Sequence, residues 1–148
     1  MKPFVFIFLI AFFISCEKDC NLPVQIIGIG EIIGNARVSQ PLITWEMRNK
    51  EHIIRTDQEN VYDLKVSFDE GKTYDSIDFN KYTLLGKYAD GSCNVTFDRN
   101  VLKISSENKY LFRIKIYQCG TCKRHWESMN WVLVPKIQVG YSVEFLVE

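Results

Sequence analysis

The sequence predicts an all-β fold, a single antiparallel β-sandwich, and three features of the 148-residue chain point to it. Apolar and polar residues alternate in several short segments. Clusters of turn-forming residues separate these segments by roughly 8–14 residues, the spacing of sandwiches. Beyond residue 20 no segment sustains the 3.6-residue apolar period of an amphipathic helix, and no internal repeat or low-complexity tract occurs.

The strands can be justified in chain order. Ile43, Trp45 and Met47 alternate with Thr44 and Glu46, and Tyr62, Leu64 and Val66 with Asp63, Lys65 and Ser67. Tyr110, Phe112, Ile114 and Ile116 fall on one face, opposite Arg113, Lys115 and Tyr117. Tyr141, Val143, Phe145 and Val147 alternate with Ser142 and Glu144. A period of two with one apolar face marks half-buried strands. Turns are expected at Gly34-Asn35, Asp90-Gly91, Asp98-Arg99-Asn100 and Glu107-Asn108.

Composition narrows the function. At 47% hydrophobic and 24% charged, the chain suits one core and one domain. Eighteen basic residues balance eighteen acidic ones, so no long-range field draws in a phosphate backbone, and nucleic acid is not an expected partner. His52 and His125 are the only histidines. No G-x-S-x-G elbow, H-E-x-x-H helix or phosphate-cradling glycine loop can be found, and Gly28-Ile29-Gly30 lacks the third glycine of a dinucleotide fingerprint. The expectation is a protein that is not an enzyme and carries no cofactor or metal.

The N-terminus points to a compartment. Met1-Lys2-Pro3 is followed by an unbroken apolar run from Phe4 to Ile14. At about 11 residues this run is too short to cross ~30 Å of hydrocarbon as a helix, but it suits a signal-peptide core. Ile14-Ser15-Cys16 then places a small residue directly before a cysteine, which resembles the lipobox of bacterial lipoproteins. That resemblance implies a signal peptide over 1–15, acylation of Cys16, a lipidated tether over 16–22 and a sandwich domain over 23–148. The membrane would be reached through the lipid anchor, with acyl chains contributing ~0.8 kcal/mol per buried CH₂. Glu17-Lys18-Asp19 resembles the export signal of surface-exposed lipoproteins, implying the cell envelope and the outer membrane.

Four further cysteines remain: Cys20, Cys93, Cys119 and Cys122. An even number in an exported chain implies two disulfides, among three connectivities. Long-range bridges from Cys119 and Cys122 to Cys20 and Cys93 are one arrangement. Cys93 reaches the others only if residues 94–104 form one strand; a hairpin turn at Asp98-Arg99-Asn100 would send it to the opposite end. Alternatively Cys119 and Cys122 bond to each other, since two residues flanking a short loop lie about 5.5 Å apart at Cα. The Cys119-x-x-Cys122 spacing also raises thiol–disulfide exchange as an alternative function. Thioredoxin-like oxidoreductases place such a pair at a helix N-terminus, whereas here a strand precedes it. A zinc site built from four thiolates is less suited to an oxidising compartment.

The segment from Ile104 to Ile116 resembles the E–F corner of fibronectin type III and immunoglobulin-like domains. The resemblance implies that Ile104 closes one strand and Tyr110 opens the next, that Leu42-Ile43-Thr44-Trp45 is a core strand with Trp45 buried, and that residues 139–147 add one strand to the usual seven. Ser67-Phe68-Asp69-Glu70-Gly71-Lys72-Thr73-Tyr74 resembles the Asp-box of sialidases. It reads as a hairpin tip in which Asp69 accepts from backbone amides, Gly71 supplies a positive φ and Tyr74 turns inward. Asp75-Ser76-Ile77 resembles a bacterial O-glycosylation sequon. The Asp-box and the sandwich together raise a glycan-binding accessory domain as a second alternative.

The leading expectation is a binding or assembly module displayed on the envelope, meeting another envelope protein or a glycan. Arg124, His125, Trp126 and Trp131 form the candidate contact surface, because aromatic residues beside arginine are typical interface anchors. Core packing is the alternative role for the two tryptophans.

Overall fold

The computed structural model describes residues 22–23 and 27–148. The predicted leader, Cys16 and Cys20 lie outside the described residues. The fold is an all-β sandwich, and its organising feature is one long hairpin folded double. Strand β6 (Tyr82–Ser92) pairs antiparallel with β9 (His125–Pro135), and β7 (Asn94–Ile104) pairs antiparallel with β8 (Lys109–Cys119). The hairpin tip is a 3₁₀ turn at Ser105–Glu107, closed by Asn108 in the left-handed region at φ 48°. Only Cys93 separates β6 from β7, and it too is left-handed, at φ 60°. Residues 120–124 separate β8 from β9 and include Gly120 at φ 95°.

Folding the hairpin back on itself brings its halves face to face. Leu85, Ala89, Val132 and Val134 of one half pack against Val101, Tyr110, Phe112 and Ile114 of the other. Each large side chain fully withdrawn from water there contributes about 1.5–3 kcal/mol. Two strands run parallel to their neighbours and widen the β7–β8 half to four strands. β1 (Ile27–Gly30) lies beside β7, and β10 (Ser142–Val147) lies beside β8. β10 is the additional C-terminal strand that the sequence suggests. Its Phe145 ring meets Phe112 at 5.7 Å between centroids.

The β6–β9 half gains β3 (Glu51–Ile54) alongside β6. Its other face carries a second core, in which Leu84, Met129, Trp131, Leu133 and Ile54 are buried. A third, smaller layer supplies that core. It comprises helix α1 (Trp45–Asn49) and a sheet ordered β2-β4-β5, from β2 (Arg37–Val38), β4 (Lys65–Ser67) and β5 (Asp75–Ser76). The central sheet is therefore covered on both faces. Its sequence accommodates this, since Leu84-Leu85 and Trp131-Val132-Leu133-Val134 are apolar runs that feed both cores.

Several local expectations are corrected. Residues 42–45 are not a core strand. Thr44 caps α1, its hydroxyl accepting from the Met47 backbone N–H at 3.2 Å, with Glu46 in the first turn and Arg48 in the last. Helical rather than two-residue periodicity then buries Met47 and leaves Trp45 79% exposed. Asp90-Gly91 and Asp98-Arg99-Asn100 are not turns; the ladders of β6 and β7 run unbroken through them. A Cβ on Gly91 would lie 2.6 Å from Val95 Cγ2, so glycine serves close approach beside the fold-back. Ile104 closes β7 and Tyr110 is buried near the start of β8. These strands stay neighbours in one sheet, so the corner is a hairpin tip.

The Asp-box segment is the β4–β5 turn. Asp69 accepts from the backbone amides of Lys72 at 3.0 Å and Thr73 at 2.9 Å, and from the hydroxyls of Ser67 at 2.6 Å and Thr73 at 2.7 Å. These bonds, that from Ser67 first, hold its carboxyl far below the usual carboxylate range. Gly71 has φ 91°, as the turn requires. Tyr74 does not turn inward. The strand it leads into has only two residues, Asp75 and Ser76, both exposed, and burial resumes at Ile77.

Candidate functional site

The fold-back brings Cys93, Cys119, Cys122, Arg124, His125 and Trp126 to one end of the molecule. Because residues 94–104 form one strand, Cys93 meets the segment after β8. A disulfide joins Cys93 to Cys122, with Cα atoms 5.2 Å apart. Cys119, paired across the ladder with Asn94, is disulfide-bonded as well. Cys119 and Cys122 are thus not bonded to each other, the arrangement a cycling Cys-x-x-Cys pair would require. The Cys93 N–H donates to Arg124 O at 2.8 Å, and Ser92 N donates to Gln118 Oε1 at 3.0 Å. The bend is cross-linked covalently and by hydrogen bonds.

This frame positions Arg124, His125 and Trp126 as the chain enters β9. The Arg124 guanidinium lies 4.0 Å from the centre of the Trp126 ring, a cation–π stack on a side chain that is 41% exposed. His125 Nε2 lies 3.2 Å from Asp90 Oδ2 on the adjoining strand. Alternation along β9 sends His125 and Glu127 to the face that buries Met129 and Trp131 farther along, and Trp126 to the other.

On the His125 face, the Arg48 side chain of α1 donates to Glu127 Oε2 at 2.6 Å and stands 5.8 Å from the Tyr88 ring centre. Burial, then the charges of Asp90 and Glu127, raise the Tyr88 hydroxyl above its ordinary value. Trp45 projects from α1 one helical turn before Arg48. One face of this end of the sandwich thus presents the Arg124–Trp126 stack, and the opposite face presents exposed Trp45 beside the Arg48–Glu127 pair. Aromatics and arginine with a polar surround make up the composition of recognition surfaces.

Trp131 does not belong to this surface. It is 2% exposed and packs with His52 at 5.3 Å and Tyr62 at 6.3 Å between ring centroids. Gly86 makes room for it: a Cβ there would lie 2.0 Å from Trp131 Cζ3. His52 Nε2 is 3.3 Å from Met47 O, and burial lowers its pKa. Asp90 and Arg48 are not legible as parts of this site in the sequence, since they reach β9 from separate segments, whereas Glu127 directly follows Trp126.

Among the described residues, no group of three or more His, Cys, Asp or Glu is placed to hold a metal ion. No described helix is long and apolar enough to cross a membrane. Comparison with known proteins finds no matching family model, no similar curated protein and no similar solved structure.

Proposed function

We propose that this chain is a non-enzymatic, lipid-anchored protein of the bacterial cell envelope whose sandwich is a binding or assembly module. Cys16 is the lipidation site, and the outer membrane is the location. The observation that carries the binding role is the exposed Arg124–Trp126 stack, held beside a disulfide-locked bend. Large rigid side chains on a pre-organised frame lose little entropy on binding, which is what interface anchors need. The partner in this reading is another envelope protein.

Site-specific photo-crosslinking in the native envelope tests it. A photoreactive residue at Trp126 is expected to give one discrete adduct, abolished by Arg124→Ala, while a probe at Leu102 on β7 gives none. Identical adduct patterns at both positions would refute a contact surface. Labelled palmitate is expected to enter the wild-type chain but not Cys16→Ala; equal labelling would remove the anchor from the proposal.

A further inference from the structure

A cleft lies among the loops that follow β3 and β9. Two adjoining cavities, about 310 and 490 Å³, share Arg55, Thr56 and Lys136 as a common wall. Together they run from the 77–80 segment past the turn at 56–59 to the 137–141 segment. Ligand sites fall in this size range.

The cleft is built on braced walls. Lys136 Nζ donates to Arg55 O at 2.8 Å and to Phe79 O at 2.7 Å, and Lys136 N donates to Lys81 O at 2.7 Å. One residue therefore ties two other chain segments, at Arg55 and at Phe79–Lys81, to its own. At the far lip, Tyr141 N donates to Gln138 O at 3.2 Å, and Gly140 at φ 94° closes that turn.

The chemistry of the two halves differs. Asp57, Gln58 and Asn80 line the smaller half with Arg55: the two amides both donate and accept, the carboxylate accepts and the guanidinium donates. Arg55 lines both halves, and its guanidinium has no ion-pair partner among the described residues. Ile137, Val139 and Tyr141 make the larger half mostly apolar. Two cations, Arg55 and Lys136, face three carboxylates, Asp57, Asp78 and Glu59. Mixed signs give the cleft no field to concentrate a phosphate or another strongly charged ligand. A ligand with a dense edge of hydroxyls and an apolar face of C–H groups satisfies both halves.

From this geometry we infer that the cleft binds a neutral oligosaccharide, its hydroxyls on Gln58, Asn80 and Arg55 and its C–H face over Val139 and Tyr141. This site is separate from the bend surface and does not depend on the anchor. The test is saturation-transfer NMR and calorimetry of the oxidised folded domain with neutral gluco-, manno- and galacto-oligosaccharides. At least one series is expected to bind. Gln58→Ala and Asn80→Ala, both at exposed positions, are expected to weaken it by about tenfold each while leaving the melting temperature unchanged. Raising the salt concentration should leave the affinity almost unaltered, because no ion pair forms. Absence of binding across the panel, binding that both variants leave intact, or capture of a charged peptide in place of every saccharide would each overturn the assignment.

Discussion

Removing the Cys93–Cys122 bridge through a Cys93→Ala/Cys122→Ala variant isolates what holds the hairpin folded double. The bridge spans a sequence separation of 29. A loop of that length restricts the unfolded chain by about 3.5 kcal/mol on the chain-entropy account. Against a total stability of ~5–15 kcal/mol, this is a large share. For a chain of this size each kcal/mol corresponds to roughly 2–4 °C, so the melting temperature should fall by about 7–14 °C. Urea unfolding with linear extrapolation measures the same quantity independently. A Cys93→Gly/Cys122→Ala variant provides an internal control. Position 93 sits at φ 60°, where a Cβ costs about 1 kcal/mol, so glycine should recover about that much relative to alanine. A fall of less than about 2 °C in the alanine variant, under the equivalent of 1 kcal/mol, would refute the reasoning. The bend would then be held by its packed sheets, and the frame under Arg124 and Trp126 would not need the cross-link.

Gly86→Ala should destabilise the domain by about 1–3 kcal/mol in urea, because the new Cβ meets a Trp131 ring already enclosed by His52 and Tyr62. His52 gives an acid limb. Its folded pKa lies below the unfolded 6.5, so the unfolded chain takes up the proton first as pH falls. Its contribution is complete above 6.5 and declines from there toward the lower folded value. Unfolding at pH 7.5 and 5.5 should show a wild-type loss that His52→Gln diminishes; equal slopes would contradict this. Asp69 shifts the same way at lower pH. Its depressed pKa contributes stability above the unfolded 3.8 that is lost as pH falls toward the folded value. Asp69→Asn should speed hydrogen exchange at the Lys72 and Thr73 amides at neutral pH, and unchanged protection would count against the turn's dependence on that carboxylate.

Legibility in the sequence followed burial geometry. The segments at 110–116 and 141–147 alternate cleanly because one face meets the core and the other meets solvent. The central strands β6 and β9 are buried on both faces along much of their length, so they carry no two-residue signal there, and only the structure shows them as the middle of the molecule. Residues 43–47 misled for a related reason. Three apolar residues at alternate positions fit a strand, yet five residues also make one helical turn, and the Thr44 cap with a single buried Met47 favoured the helix. At the bend, Arg124, His125 and Trp126 were legible as a contiguous run beside cysteines. The groups that meet this strand were not, since Asp90 reaches His125 and Arg48 reaches Glu127 from distant segments.

The sequence by itself determined the all-β class, the Asp69 turn and the extra C-terminal strand. Each depends on neighbours along the chain: side-chain alternation, a carboxylate within reach of amides three and four residues on, a glycine at positive φ. The tertiary structure decided that the hairpin folds double at Cys93, that Trp131 enters the core, and that Cys122 joins Cys93. Those outcomes depend on which faces two sheets bury against each other, a long-range choice that no local period encodes.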